Sequence, residues 1–162
     1  MTTPIHETVF LGGFWFFHIC TVGFKVKEDR NRMSLLVAET IWSEIQSTRS
    51  VSDDQLAILH ILFGKNLERA TRIVDEGGVK KILGQPSGRS IFQVVGESRR
   101  KEEYLCFPQH YCACYSFFYD IVNRGEQLCC KHQLAARLAV SLGTCVDVKV
   151  SDDHLAHLLA KL

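Results

Sequence analysis

The spacing of apolar residues divides the chain into a helical first part, a strand-like middle and a helical end. From Met33 the apolar positions recur at helical spacing: Leu36, Ile41 and Ile45, with Trp42 beside them, share a stripe that leaves Glu39 and Glu44 outside. Ser47-Thr48-Arg49-Ser50 is a polar linker. Ser52-Asp53-Asp54-Gln55 has the form of a capping box, in which a hydroxyl and an amide three residues on satisfy each other's backbone N–H. The second helix it starts has its apolar face over Leu56 to Phe63 and stops at Gly64. A third helix is predicted from about Asn66 to Glu76, with Leu67, Ala70, Ile73 and Val74 inward and Gly77-Gly78 at its end.

Beyond those glycines the period shortens. Val79 to Leu83 reads as a strand, Gly84-Gln85-Pro86-Ser87-Gly88 as a turn, and Ile91 to Val95 as a second strand closed by Gly96. Ser98-Arg99-Arg100-Lys101 is a loop, and Tyr104 to Phe107 is a third strand ended by Pro108. Tyr115 to Val122 is a short helix or an apolar turn, broken by Asn123-Arg124-Gly125. From Lys131 a helix runs to about Leu142 with Leu134, Ala135, Leu138 and Leu142 on its buried side, and Gly143 caps it. Ser151-Asp152-Asp153 starts a last helix carrying Leu155, Leu158 and Leu159. The fold class expected is α+β: N-terminal helices, a three-stranded antiparallel meander, a short knuckle leading into a helix, and a C-terminal helix. The corresponding segments are 1–32, 33–78, 79–142 and 143–162. Val-Ser-Asp-Asp-x-Leu-Ala occurs at Val51 and again at Val150. That period is too long for a solenoid, and two acidic helix starts account for it.

One segment stands apart from this pattern. Val9 to Phe24 is a sixteen-residue apolar run, shorter than the roughly eighteen residues expected of a membrane span. Glu7 is the one charge ahead of it, so the basic start of a signal peptide is missing. Residues 1–32 read as a poorly ordered leader, and no membrane association is expected. At 162 residues with 46% hydrophobic content, the chain is long enough to bury a core. A net charge of +1 argues against strong nonspecific attraction to nucleic acid or membrane. Seven cysteines, an odd number without regular spacing, suit a reduced compartment better than a disulfide framework.

The chemistry is concentrated in Cys112-Ala113-Cys114 and, fifteen residues on, Cys130-Lys131-His132. Two pairs of soft ligands separated by a foldable spacer suit a closed tetrahedral zinc shell with three thiolates and one imidazole. Cys129 sits beside Cys130, and Cys129-x-x-His132 is an alternative pairing. Adjacent side chains diverge, so one of the two thiols ligates while the other packs in the core. Cys20, Cys106 and Cys145 read as inert buried thiols, and His110 as a residue outside the ligand set. A closed shell has no open position for substrate, and no GxxxxGK[ST] loop is present, so catalysis is not expected.

Cys112-x-Cys114 and Cys130-x-His132, after a meander and before a helix, resemble a SWIM zinc finger. His132-Gln133-Leu134-Ala135 also fits the longer Cys-x-His-x-x-Ala form of the SWIM subunits of Shu recombination complexes. Leu62-Phe63-Gly64, Ile73-Val74-Asp75, Pro86-Ser87-Gly88-Arg89, Phe92-Gln93-Val94 and Tyr104-Leu105-Cys106 extend the resemblance, which covers about Asp53 to the C-terminus. It implies a nuclear, non-enzymatic zinc protein of DNA repair by homologous recombination. Such a subunit would pair with a small RecA-like recombinase paralogue and support the RecA-type filament on single-stranded DNA. The resemblance also implies that Ala135 lets the helix pack closely on the knuckle.

Direct DNA binding is the rival expectation. Residues 79–142 hold nine Lys/Arg against five Asp/Glu, a formal +4, and the rest of the chain is −3. Arg99, Arg100 and Lys101 would touch phosphate, with Phe117, Phe118 and Tyr119 as stacking surfaces. A solvated loop and aromatic residues packed around the metal are the plainer reading of the same residues. For a protein partner, the surfaces expected are the helix around Trp42 and the C-terminal helix around Leu155.

Overall fold

The structure, a computed structural model, describes residues 31–98 and 100–162. The apolar run at 9–24, nearly all of the expected leader, and Arg99 lie outside the described residues. The chain divides into two compact units, Met1–Leu36 and Val37–Leu162. The described part of the first unit, 31–36, is helical. No helix among the described residues is long and apolar enough to cross a membrane.

The second unit holds the expected elements from residue 37 on, and the boundaries at 78/79 and 142/143 fall inside it. Helix α1 covers 31–48 and buries Ala38, Ile41, Trp42 and Ile45, whereas Leu36 is exposed. Helix α2 (Asp53–Phe63) starts with the capping box read from the sequence. The Gln55 N–H donates to Ser52 Oγ at 3.2 Å, and the Ser52 N–H donates to Gln55 Oε1 at 3.0 Å. Helix α3 (Lys65–Asp75) buries Leu67, Ala70 and Ile73. Burial of these apolar stripes, more than helix propensity, holds such short helices in place.

The meander forms as β1 (Val79–Gln85), β2 (Ser90–Val95) and β3 (Glu103–Phe107), paired antiparallel in sequence order. The sheet is wider than the sequence pattern suggested. A two-residue strand β4 (Tyr111–Cys112) pairs with β3, and β5 (Val146–Ser151) pairs parallel to β1. The order is β4-β3-β2-β1-β5. Residues 143–162 thus supply a strand as well as a helix, a correction to the expected C-terminal helix alone. Its signal was the period-two alternation Val146-Asp147-Val148-Lys149-Val150, which the acidic helix start behind it obscured.

Helix α4 (Lys131–Leu142) packs on the sheet face carrying Phe92, Val94, Cys106 and Cys112, and also packs against α3. Leu134, Ala135, Leu138 and Ala139 fill that contact at 0–3% exposure. At its C-terminal end Gly143 adopts the left-handed conformation, and Arg49 donates to the Val140 carbonyl at 2.9 Å. Helix α5 (Asp152–Leu159) lies on the opposite face, where Leu155 joins Ile82 and Ile91 in a buried cluster. Leu105, Phe107, Val150, Leu158 and Leu159 close around them. Trp42 and Leu155 are each only 3% exposed, so the two helix surfaces expected to meet a partner are internal contacts instead.

Candidate metal centre

Strand pairing brings the first pair of ligands into position. Pro108 ends β3, the chain turns at residues 108–110, and β4 returns antiparallel so that Cys112 lies opposite Cys106. Cys114 follows just past the strand. The second pair is set by the start of α4: Cys130 is its N-cap and His132 lies in its first turn. The Cys130 N–H donates to Gln133 Oε1 at 3.1 Å, satisfying an otherwise orphaned helix-start donor. Asn66 Nδ2, from α3, donates to the Cys129 carbonyl at 3.0 Å and steadies the approach to the site.

The four side chains named by the sequence converge. The ligand atoms of Cys112, Cys114, Cys130 and His132 all lie within 4.8 Å of one another. Their exposures are 0, 4, 1 and 3%, so the cluster is closed to solvent. A tetrahedral ion with metal–sulfur bonds of ~2.3 Å and a metal–nitrogen bond of ~2.0 Å needs donor-to-donor separations of roughly 3.5–3.8 Å. Cys112 Sγ and His132 Nδ1 are 3.7 Å apart, which fits. Nδ1 is therefore the ring nitrogen turned to the sulfurs, while Nε2 is buried without a hydrogen-bond partner. Tyr104 stacks on the imidazole at 4.6 Å between centroids and 25° between planes, fixing the ring plane by contact.

The sulfurs are electrostatically unequal. Hydrogen bonds from Cys112 and Cys130 hold the Cys114 thiol far below the ordinary thiol range. Cys130 is pushed up, chiefly by its hydrogen bond to Cys112 and then by that to Cys114. Cys112 is pushed up as well, so the three buried thiols oppose one another's ionisation. A divalent ion removes this conflict by deprotonating its thiol ligands outright. The donor set, its closure and its geometry all fit a metal ion held by these four residues.

Two neighbours with donor side chains do not join the cluster. Cys129 is buried but is not among the converging four, and burial pushes its thiol up to about 11. His110 is exposed and is not among them either. Ala135 is fully buried one helical turn after His132, where a larger side chain would have to displace the packing of α4. Cys106 was read as merely inert. It lies opposite Cys112 in the β3–β4 pair and helps push that thiol up, a neighbour visible only once the register is known.

Between the two ligand pairs the spacer forms a π-helical turn, Phe117–Asn123. Phe117 is buried against Tyr111, but Tyr115, Phe118, Tyr119 and Val122 are 76, 48, 40 and 63% exposed. Tyr115 and Tyr119 stack on each other at 5.5 Å, and the Arg124 guanidinium sits 5.4 Å from the Tyr119 ring centre. The aromatic residues are therefore split: Phe117 packs inward, and the others form an apolar surface patch of a kind that marks interaction sites. In the loop between β2 and β3, Arg100 and Lys101 are exposed.

Comparison with known proteins identifies the chain's relatives. The zebrafish (Danio rerio) protein described as "Zinc finger SWIM domain-containing protein 7" is 38% identical over 130 residues, 77% of this chain and 91% of its own. The human protein of the same description is 33% identical over 128 residues, 76% of this chain and 89% of its own. A Dictyostelium discoideum homologue is 27% identical over 127 residues, covering 78% and 80%. No family model matches the chain, and no solved structure matches it. Identity at this level over most of both chains, together with a Cys-x-Cys and Cys-x-His cluster closed around one point, places the chain in the SWIM-type zinc finger family of those proteins.

Proposed function

We propose that the chain is a zinc-holding, non-catalytic subunit of a nuclear DNA-repair complex. In this reading it supports RecA-type recombinase filaments on single-stranded DNA in homologous recombination, working through a small RecA-like partner. Zinc is the ion favoured by three thiolates and one imidazole in a closed tetrahedral shell. The observation that carries the reading is the aromatic turn hung between the two ligand pairs. The metal ties both ends of the spacer, and the spacer presents Tyr115, Phe118, Tyr119 and Val122 outward. Exposed aromatic anchors on a rigid base are what protein interfaces use at their centres. A shell this buried gives substrate no access, which supports a structural rather than a catalytic metal.

The test is capture of partners by the tagged, zinc-loaded chain from its own cells, read by mass spectrometry. The expected result is a RecA-like protein whose recovery falls when Tyr115 and Phe118 are both changed to Ser, with zinc content unchanged. Recovery of the same RecA-like protein by this double variant at full yield would remove the role given to the turn. Absence of any RecA-like protein would remove the reading itself. The exposure of Arg100 and Lys101 favours a second reading, direct contact with DNA. Charge reversal at both should then lower DNA affinity and flatten its salt dependence.

A further inference from the structure

The strand β5 ends the sheet, and among the described residues nothing pairs with its outer side. Unpaired strand edges are templates for another strand, and proteins blunt them with charge, bulges or covering segments. This edge is six residues long and regular, Val146-Asp147-Val148-Lys149-Val150-Ser151. Val146 is 53% exposed, and Asp147 and Lys149 are both exposed. Neither charge forms an ion pair among the described residues, although the two are of opposite sign and two positions apart.

That arrangement is self-complementary in one register. If two copies of β5 meet antiparallel with Val148 on the two-fold axis, Asp147 of each copy faces Lys149 of the other. Val146 then faces Val150 on the opposite side of the sheet. An isologous contact of this kind satisfies both charges twice with one strand sequence. Directly opposed unlike charges stabilise an antiparallel pair, and like charges destabilise it. A parallel in-register pairing would set Asp against Asp and Lys against Lys, so the charges select the antiparallel form.

We propose that β5 is a self-association edge through which two copies of this chain join their sheets into one continuous ten-stranded sheet. Five paired residues a side, 146–150, cover less surface than a standard stable interface, so the association is weak and concentration-dependent. It leaves the metal cluster and the aromatic turn uninvolved, since β4 and β5 are opposite edges of the sheet.

The experiment is sedimentation equilibrium on the full-length, zinc-loaded chain and three variants: Asp147→Lys, Lys149→Glu, and the two combined. The expected result is a reversible monomer–dimer equilibrium for the wild type, weakened about tenfold by either single reversal. The combined variant restores the wild-type equilibrium, and an equimolar mixture of the two single variants forms a mixed dimer. Zinc content measured on each variant verifies that the fold is retained. A wild type that stays monomeric to ~1 mM would overturn the proposal and leave the edge to a strand from another protein. Single reversals without effect, or a combined variant that fails to restore dimerisation, would also overturn it.

Discussion

Among the described residues five cysteines are buried, Cys106, Cys112, Cys114, Cys129 and Cys130, so burial does not separate ligands from packing residues. What separates them is direction. Cys112 and Cys114 bracket a single residue at a strand end, and Cys130 and His132 do the same at a helix start, so each pair delivers two donors to one point. Cys129 precedes the N-cap and leads elsewhere. Changing Cys112 to Ser or His132 to Ala is expected to abolish metal binding and to unfold the β4 knuckle and the start of α4. Zinc in small sites contributes an apparent 10–16 kcal/mol, comparable to the whole stability of a domain. Cys129→Ala is expected to retain full metal content and cost about 1–2 kcal/mol for the small cavity left behind. Metal analysis beside thermal unfolding of the three variants checks both statements. The spacing of the pairs made the four ligands legible in the sequence. Choosing Cys130 over Cys129 needed the direction of the chain into α4, and the Cys106–Cys112 contact needed the strand register.

Among the elements, the capping box and the three-stranded meander follow from local sequence patterns, and strand β5 does not. The capping box of α2 is a four-residue signal, and Ser52→Ala should lower stability by about 1 kcal/mol in denaturant titration. The meander followed from alternation between turn residues. Strand β5 pairs instead with β1, some 65 residues earlier, by a parallel register that no local pattern announces. Gly84 shows why that corner must be tight. A Cβ there would lie 2.6 Å from Asp152 Oδ1 and 2.7 Å from Leu155 Cδ2, both on α5. Gly84→Ala should therefore push α5 off β1 and cost about 1–3 kcal/mol, seen as a lowered unfolding midpoint with zinc content intact. The spacer between ligand pairs was open between helix and turn in the sequence. Its π-helical form turns Phe117 in and Phe118 and Tyr119 out, so a stretch read as all stacking or all packing serves both ends.

At the scale of the whole molecule, the four-residue cluster at the start of α4 and side chains from α1 add to the packing of α4 on the sheet and on α3. Arg137 of α4 lies over the Trp42 ring at 5.6 Å and donates to Glu39 Oε2. That hydrogen bond holds the Glu39 carboxyl below its usual range, against the opposing effect of partial burial. A carboxylate whose pKa is depressed by folding stabilises fully above its unfolded value of 4.5, and the contribution fades as pH falls through the folded value. The stability gap between wild type and Glu39→Gln should accordingly hold above about pH 5 and shrink as pH falls below 4.5. Zinc-dependent unfolding in acid affects both proteins alike, so their difference isolates the ion pair. Solvent exposure of nearly half of Glu39 keeps the effect small.

The most direct measurement is elemental analysis of the native full-length chain, with wild type, Cys112→Ser and His132→Ala prepared side by side. One zinc per wild-type chain, lost in both variants together with the circular dichroism of the folded state, is the expected result. A native, folded wild type without bound metal, or variants that keep zinc at the wild-type ratio, would contradict it.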